Sequence, residues 1–271
     1  MNIAILGTGN MGRAIIGGLK RAYGGDVRVV AWDKAAGALG GLGDGVEVVT
    51  PSDWKSANFT PDVLIVSVKP ADVPGLLSDI VAPLVKGRGL DFLTVSVAAG
   101  VSIQSIRVSL GNTARVCRVM PNTPAMIGEG MSAYSLCENC SPSDAKLVEY
   151  VFSACGKVVN VYEGLMDAVT GLSGSGPAFA YSFIEALAEG GVSAGLPYKL
   201  AMEMAVQTVV GAARMVQATA DHPSVLRSRV MSPGGTTVKG LEALERAAFK
   251  STVMSAVAES AAQSARMAGK N

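Results

Sequence analysis

Histidine is almost missing from this chain: one residue, His222, in 271. A single imidazole is a poor basis for His-dependent proton transfer or for a metal cluster, and its place before Pro223 reads as structural or helix-capping. Aromatic residues make up 5% and charged residues 17%, with a formal net charge of +1. That balance leaves no electrostatic footprint for nucleic acid or an anionic membrane surface. Long uncharged apolar runs are lacking too. The longest apolar helical stretch, residues 201–216, is broken by Glu203, Gln207 and Arg214, whereas a membrane-spanning helix needs about 20 predominantly apolar residues. Yet 49% of the residues are hydrophobic and mean hydropathy is +0.36. With insertion into a bilayer excluded, that excess points to a large buried subunit interface.

Cysteine is sparse: Cys117, Cys137, Cys140 and Cys155. Cys137-Glu138-Asn139-Cys140 is an isolated pair. Zinc needs more ligands at suitable spacing, and a redox pair belongs at the start of a thioredoxin-type helix, whereas Ser141-Pro142-Ser143-Asp144 caps a different one. Reduced thiols, no metal and a cytoplasmic setting are expected. Met1-Asn2-Ile3-Ala4-Ile5 enters a strand at once, which leaves no room for a signal peptide.

What is present is built on glycine and hydroxyl residues. Ile3-Ala4-Ile5-Leu6 is a continuous apolar run, as a parallel strand buried on both faces requires. It leads into Gly7-Thr8-Gly9-Asn10-Met11-Gly12 and then a helical pattern over residues 14–19. The first glycine permits the tight turn, the second lets backbone approach a pyrophosphate, and the third lets helix pack on strand. The helix N-terminus then faces the anion. A second strand over 27–32 ends in Asp33, 21 residues beyond Gly12, close to the roughly 20 expected of a ribose-reading acid. Strand, loop, helix and acid in this order predict dinucleotide binding. Asp33 favours the free 2′-hydroxyl of NAD, while Lys34 either attracts the 2′-phosphate of NADP or points to water; the balance leans to NADH. Residues 35–45, nearly all Ala, Gly and Leu, fit either a helix or a lid over the adenine.

Further apolar runs read as strands. Residues 62–68 form the fourth and end in Lys69-Pro70; 92–97 stop at Ala98-Ala99-Gly100; 116–120, the sixth, lead into Pro121-Asn122-Thr123-Pro124. A seventh and eighth, near 132–136 and 157–161, flank a helix from about 143 to 155. The strand ends fall on one edge of an open parallel sheet, where such folds bind ligands. At that edge Val68, Lys69 and Pro70 are cofactor candidates, with Lys69 as a solvated loop residue the alternative. Ala98 and Ala99 leave room for a flat ring.

Asp167-Ala168-Val169-Thr170-Gly171-Leu172-Ser173-Gly174-Ser175-Gly176-Pro177 joins this half to a helical one. Ser175 as N-cap and Pro177 in the first turn predict a helix start near Ser175, either a plain capped hinge or one offering free N–H groups. Helices are expected over 175–191, from Leu196-Pro197 to about 219, and over 250–267. The second of these is small and apolar on every side, so it should be buried all round. An obligate, interleaved homodimer follows. Ser232-Pro233-Gly234-Gly235-Thr236-Thr237 reads as an anion nest able to hold a carboxylate without arginine, or as a turn plus N-cap. Arg227, Arg229 and Lys239 flank it.

Taken together, the glycine loop, Val68-Lys69-Pro70, Met120-Pro121-Asn122-Thr123-Pro124, the 167–177 joint and the 232–237 loop resemble pyrroline-5-carboxylate reductase. The resemblance runs along the whole chain, and its most specific parts are the two C-terminal motifs, with Ala188 to Val192 and Gly195-Leu196-Pro197 between them. It implies hydride transfer from NAD(P)H to the C=N of 1-pyrroline-5-carboxylate, giving L-proline, the last step of proline biosynthesis. It also implies that the substrate carboxylate rests on Ser232, Pro233, Gly234, Gly235, Thr236 and Thr237, with Ser175 nearby. Thr237 is the catalytic candidate, its hydroxyl near the ring nitrogen. Cofactor contacts would come from Gly7, Thr8, Gly9, Asn10, Met11, Gly12, Asp33, Lys34, Val68, Lys69, Pro70, Ala98, Ala99 and Asn122. The implied active site is shared across a dimer, with dimers sometimes assembled into rings. Trp32-Asp33-Lys34 departs from NADPH-preferring members, which usually place Ser, Thr, Asn or Arg there.

The expected fold class is thus an α/β N-terminal Rossmann-like domain with a mostly parallel, doubly wound sheet (residues 1–162), followed by an all-α C-terminal dimerisation and substrate-binding domain (163–271). Reduction of a protonated imine asks little beyond orientation, a fixed carboxylate and exclusion of water. Two other readings remain. A reductase of another cyclic imine or a β-hydroxyacid would share the fold, but a hydroxyacid enzyme should carry a lysine near Ser173-Gly174-Ser175-Gly176. A dinucleotide sensor without turnover would have no use for an intact 232–237 loop.

Overall fold

The computed structural model describes residues 1–87, 89 and 91–269. One compact unit comprises Met1–Ser175 with the chain from Glu259 onward, and the other is Gly176–Ala258. In the first unit the elements are β1 (Asn2–Leu6), α1 (Asn10–Tyr23), β2 (Arg28–Trp32), β3 (Val46–Val48), β4 (Val63–Val66), α2 (Val73–Leu76), β5 (Leu93–Ser96), α3 (Ile103–Leu110), β6 (Arg115–Met120), β7 (Gly130–Leu136), α4 (Pro142–Ser153), β8 (Gly156–Asn160) and α5 (Met166–Val169).

The strands form one sheet in the order β3-β2-β1-β4-β5-β6-β7-β8. Neighbours run parallel except β6 and β7, which are antiparallel. Successive residues of a strand point to opposite faces, and here both faces are covered. Ile3, Ile5, Ile65 and Val95 pack with Ile15 and Leu19 of α1 and Phe152 of α4. Ala4, Leu6, Leu64 and Val66 pack on the other face with Val73 of α2 and Ile106 and Leu110 of α3. Each large side chain so buried contributes about 1.5–3 kcal/mol, which is why β1 and β4 carry uninterrupted apolar runs. The expected α/β class with its mostly parallel doubly wound sheet is what the chain adopts. The strand order reverses between β1 and β4, which places the ligand crevice at that switch point.

The joint differs from expectation. A long helix, α6 (Gly176–Ser193), does begin beside Ser175, but it follows directly on α5 and a π-type turn over Thr170–Gly174 rather than on an open capped loop. The Ser175 N–H donates to the Thr170 carbonyl at 2.8 Å, an i→i+5 bond, and Ser175 has helical dihedrals. Pro177 therefore sits within helical backbone rather than at a fresh N-terminus. It brings no N–H to the Ser173 carbonyl four residues earlier, and the widened turn ahead of it makes room for the ring. Serine followed by proline suits both a capped start and a continuing helical path, so the local sequence does not separate the two.

In the second unit α6 packs on α7 (Tyr198–Thr219) around Ala188, Ala201 and Ala205. Then come α8 (Pro223–Arg229), α9 (Thr236–Arg246) and α10 (Phe249–Met267), whose end belongs to the first unit. His222 caps α8, accepting the Ser224 N–H at 3.3 Å. Within one chain α7 is not buried all round. Only Ala201 and Ala205 of it are buried, while Met204 and Met215 are 52% and 51% exposed. A single chain supplies one neighbouring face for α7, and its remaining apolar surface is left uncovered. Among the described residues no helix is long and apolar enough to cross a membrane.

Candidate active site

The glycine loop is held by the strands beneath it. The Gly7 N–H donates to the Trp32 carbonyl at 2.8 Å and Gly7 has φ +100°. A Cβ there would lie 2.5 Å from the Ser67 carbonyl oxygen, and one on Gly12 would strike the Gly7 carbonyl. Gly9, at the N-cap of α1, faces the other way: a Cβ there would meet nothing within 4 Å, and no side chain caps the helix. The first turn of α1 thus has no side-chain acceptor at its N-cap, with the positive end of the dipole behind it. Ser67 Oγ, buried at the end of β4, has no hydrogen-bond partner among the described residues and lies 3.4 Å from the Cβ position of Gly12. An uncapped helix end and an unmatched buried hydroxyl at the switch point suit a dinucleotide.

Asp33 is committed within the protein. Its Oδ2 accepts the Thr8 N–H at 2.8 Å and its Oδ1 the Ala35 N–H at 2.9 Å. Residues 35–45 resolve into a short 3-10 turn, Ala36–Leu39, strapped to the loop. Thr8 Oγ1 donates to the Ala38 carbonyl at 2.8 Å, and the Arg13 guanidinium donates to the carbonyls of Ala38 and Gly40 at 2.7 and 2.8 Å. Beside the loop lies an open cleft of about 340 Å³ that includes Gly7, Trp32, Asp33, Lys34, Val68 and Asp72 in its lining. Lys34 Nζ reaches Asp72 Oδ1 at 2.6 Å, and this bond raises the lysine pKa above its ordinary value. Pro70 opens the turn Pro70–Asp72 that presents Asp72, and Lys69 is exposed. Ala98 is buried, its N–H donating to Ser96 Oγ at 3.3 Å, and Ala99 is half-buried.

Asn122 has both ends of its amide engaged. Nδ2 donates to the Ser173 carbonyl at 3.0 Å and Oδ1 accepts the Met131 N–H at 2.8 Å. It thereby supports the carbonyl that Pro177 leaves without an α-helical partner. Ser175 Oγ shares a hydrogen bond with Ser260 Oγ at 2.7 Å, and Ser264 Oγ donates to Asp167 Oδ1 at 2.8 Å. Two hydroxyls of α10 therefore hold the joint.

In the second unit Gly234 has φ +67°, and the Gly235 N–H closes a turn onto the Ser232 carbonyl at 2.9 Å. Gly235 is the N-cap of α9 and no side chain caps that end. Thr236 and Thr237 begin the helix, with Thr237 half-buried. Of the flanking cations, Arg229 pairs with Asp221 at 2.6 Å, Lys239 with Glu242 at 3.0 Å, and Arg227 lies 3.7 Å from Glu245. What the loop itself presents is backbone N–H groups and the hydroxyls of Ser232, Thr236 and Thr237.

Sequence reasoning passed over Asp72, Ser67, Arg13, Ser260 and Ser264. Asp72 and Ser67 stand beside Val68-Lys69-Pro70 at a strand end, which was the available signal. The serines of α10 gave none, because they lie about 85–97 residues from their partners.

A doubly wound sheet with an open glycine loop at its switch point, joined to a helical unit with an uncapped glycine-containing loop of its own, defines a nicotinamide-dependent oxidoreductase of the Rossmann class. Residues 2–100 match the family model described as NADP oxidoreductase coenzyme F420-dependent, and residues 163–267 match pyrroline-5-carboxylate reductase dimerisation. The pyrroline-5-carboxylate reductase of Methanosarcina acetivorans is 37% identical over 99% of this chain and 98% of its own. That of Arabidopsis thaliana is 47% identical over 75% of this chain and 72% of its own. The solved pyrroline-5-carboxylate reductase of Coxiella burnetii superposes with a TM-score of 0.89 at 29% identity, covering 98% of each chain. The pyrroline carboxylate reductase of Plasmodium falciparum, solved with NADP bound, gives 0.86 at 29% identity over 99% of this chain and 98% of its own. This chain belongs to the pyrroline-5-carboxylate reductase family.

Proposed function

We infer that the protein reduces 1-pyrroline-5-carboxylate to L-proline with a reduced nicotinamide dinucleotide, the last step of proline biosynthesis. Similarity to reductases of this name along almost the entire chain carries the reading. The nicotinamide, when bound, supplies a hydride to the C=N carbon. The protein's share is orientation and charge. The glycine loop, residues 7–12, and the first turn of α1 hold the phosphates. Asp33, Lys34, Val68, Lys69 and Pro70 border the adenosine, and Ala98 and Ala99 leave flat space for the ring. Asn122 and Ser175 fix the joint, the former as a positioning residue.

The substrate carboxylate sits on the N–H groups and hydroxyls of residues 232–237, and Thr237 Oγ1 hydrogen-bonds the ring nitrogen. Residues 1–162 serve as the dinucleotide domain and 163–271 as the dimerisation and substrate domain. The working unit is a homodimer in the cytoplasm, able to assemble into larger sets of dimers, with no nucleic-acid or membrane partner.

The test is reduced-nicotinamide oxidation by the purified protein with racemic 1-pyrroline-5-carboxylate, with proline identified as product. Thr237→Ala should lower kcat/KM by about 10–100-fold, the worth of a hydrogen bond to a charged group. Full activity in that variant removes Thr237 from the mechanism. Cofactor binding without turnover removes the substrate assignment and leaves the fold.

A further inference from the structure

We propose that Asp72, by holding Lys34, sets this chain's choice of cofactor in favour of the dinucleotide with a free 2′-hydroxyl, NADH over NADPH. The inference rests on the reading of the glycine loop as a dinucleotide site and concerns the cleft beside it.

That cleft lies at the ends of β2 and β4, where folds of this class hold the adenosine ribose. Its lining contains the carboxylates of Asp33, Asp72 and Asp79 and one ammonium, that of Lys34. The ammonium is taken: Lys34 Nζ is 2.6 Å from Asp72 Oδ1, an ion pair that spans from the end of β2 to the turn after β4. The other nearby cation is taken as well, since the Arg13 guanidinium donates to the carbonyls of Ala38 and Gly40. Lys69 is exposed and does not line the cleft.

A ribose 2′-phosphate brings up to two negative charges into this setting. To pair with Lys34 it must share or displace Asp72, and in either case that carboxylate faces the phosphate alongside Asp33 and Asp79. Like charges brought together in this way discriminate by repulsion. A 2′-hydroxyl meets no such conflict, because it is a donor and the cleft is rich in acceptors. Lys34, the residue that in the sequence speaks for NADPH, is neutralised by a partner 38 residues further on. Asp72 is the better probe than Asp33, because Asp33 also anchors the Thr8 and Ala35 N–H groups and its loss would deform the loop.

Dissociation constants for NADH and NADPH are measured directly, by cofactor fluorescence without imine, on the intact protein and on Asp72→Asn, Lys34→Ala and the double variant. The intact protein should bind NADH at least about tenfold tighter than NADPH, and Asp72→Asn should move that ratio about tenfold towards NADPH. The double variant should lose the gain, because the freed ammonium is what produces it. Equal or reversed preference in the intact protein, or an unchanged ratio in Asp72→Asn, overturns the proposal while leaving the dinucleotide site in place. Binding of neither dinucleotide overturns both. Binding with the expected ratio but no imine turnover supports the proposal and sinks the substrate assignment instead.

Discussion

At the scale of single residues, the ligand edge is made of groups whose side chains serve the backbone. Asp33 accepts the Thr8 and Ala35 N–H groups, Asn122 donates to the Ser173 carbonyl and accepts the Met131 N–H, and Arg13 donates to three carbonyls. Several of these hydrogen bonds are partly buried and cost free energy to leave unmade, so these residues shape the site even where they need not touch a ligand. The cysteines show the same inward commitment. Cys137 and Cys140 stand with sulfurs 3.5 Å apart, but burial pushes the Cys140 thiol up to about 12 and the Cys155 thiol up to about 11. Both thiols should therefore be slow towards thiolate-specific reagents at neutral pH while the chain is folded. The stability consequence has a definite sign. In the unfolded chain these thiols ionise near 9, so above that pH the unfolded state binds fewer protons and gains relative to the folded one. Stability from this source is complete below about pH 9 and falls as pH rises towards 11–12. Urea titrations at pH 8 and pH 10 should show the loss, and Cys155→Ala should reduce the difference; an equal loss in that variant assigns it elsewhere.

Among the elements, two helix ends matter most. The N-terminus of α1 and that of α9 both lack a side-chain cap and both follow glycine-containing turns. Ser102 caps α3 and Ser141 caps α4, whereas these two ends keep first-turn N–H groups without a side-chain acceptor, the arrangement to which anions bind. Gly234 makes the second one possible, because φ +67° is costly for a residue with a Cβ. Gly234→Ala should impose about 1–2 kcal/mol of local strain. Its effect should appear as an increase of roughly tenfold in KM for the imine, matching that energy, with the cofactor Kd unmoved. A shift in cofactor affinity instead would mean that this loop does not serve the substrate. The joint teaches the complementary lesson. Its π-type turn, Thr170–Gly174, is a residue-level adjustment to Pro177 that only the backbone path reveals.

For the whole molecule the two units are unequal in what they bury. The sheet unit holds two extensive apolar layers, one on each face, whereas the helical unit has a buried core of three alanines. Tyr181, Val230 and Met254 are 59%, 65% and 71% exposed in the single chain, and patches of this kind mark an interaction surface. The match to a dimerisation domain over 163–267 says what covers it. Val230 lies with Met215, Val216 and Leu226 around an apolar cavity of about 400 Å³. Val230→Asp should yield monomers by light scattering at concentrations where the parent protein is a dimer, with lower Tm. The parent Tm should itself rise with protein concentration, as mass action requires of a dimer. A Val230→Asp protein that remains dimeric would place the interface on another face.

All the strands but the short β3 (Val46–Val48), the glycine loop, the acid at the end of β2 and the 232–237 loop were legible in the linear chain, because each depends on residues within a few positions of one another. Apolar periodicity fixes which segments are buried, and Gly, Pro, Ser and Thr fix where the backbone turns. The lack of histidine and of long uncharged apolar runs likewise narrowed the function before any fold was known. What the tertiary structure decided is pairing across distance. Lys34 was ambiguous in the sequence because its charge alone cannot say whether it is free, and Asp72 answers that. Ser175 read as a helix cap until its N–H was found on Thr170 and its hydroxyl on Ser260. The reason is physical: local propensity is set by neighbours in the chain, whereas the free energy of a charge or a polar group is set by whatever folding brings within about 3–4 Å of it.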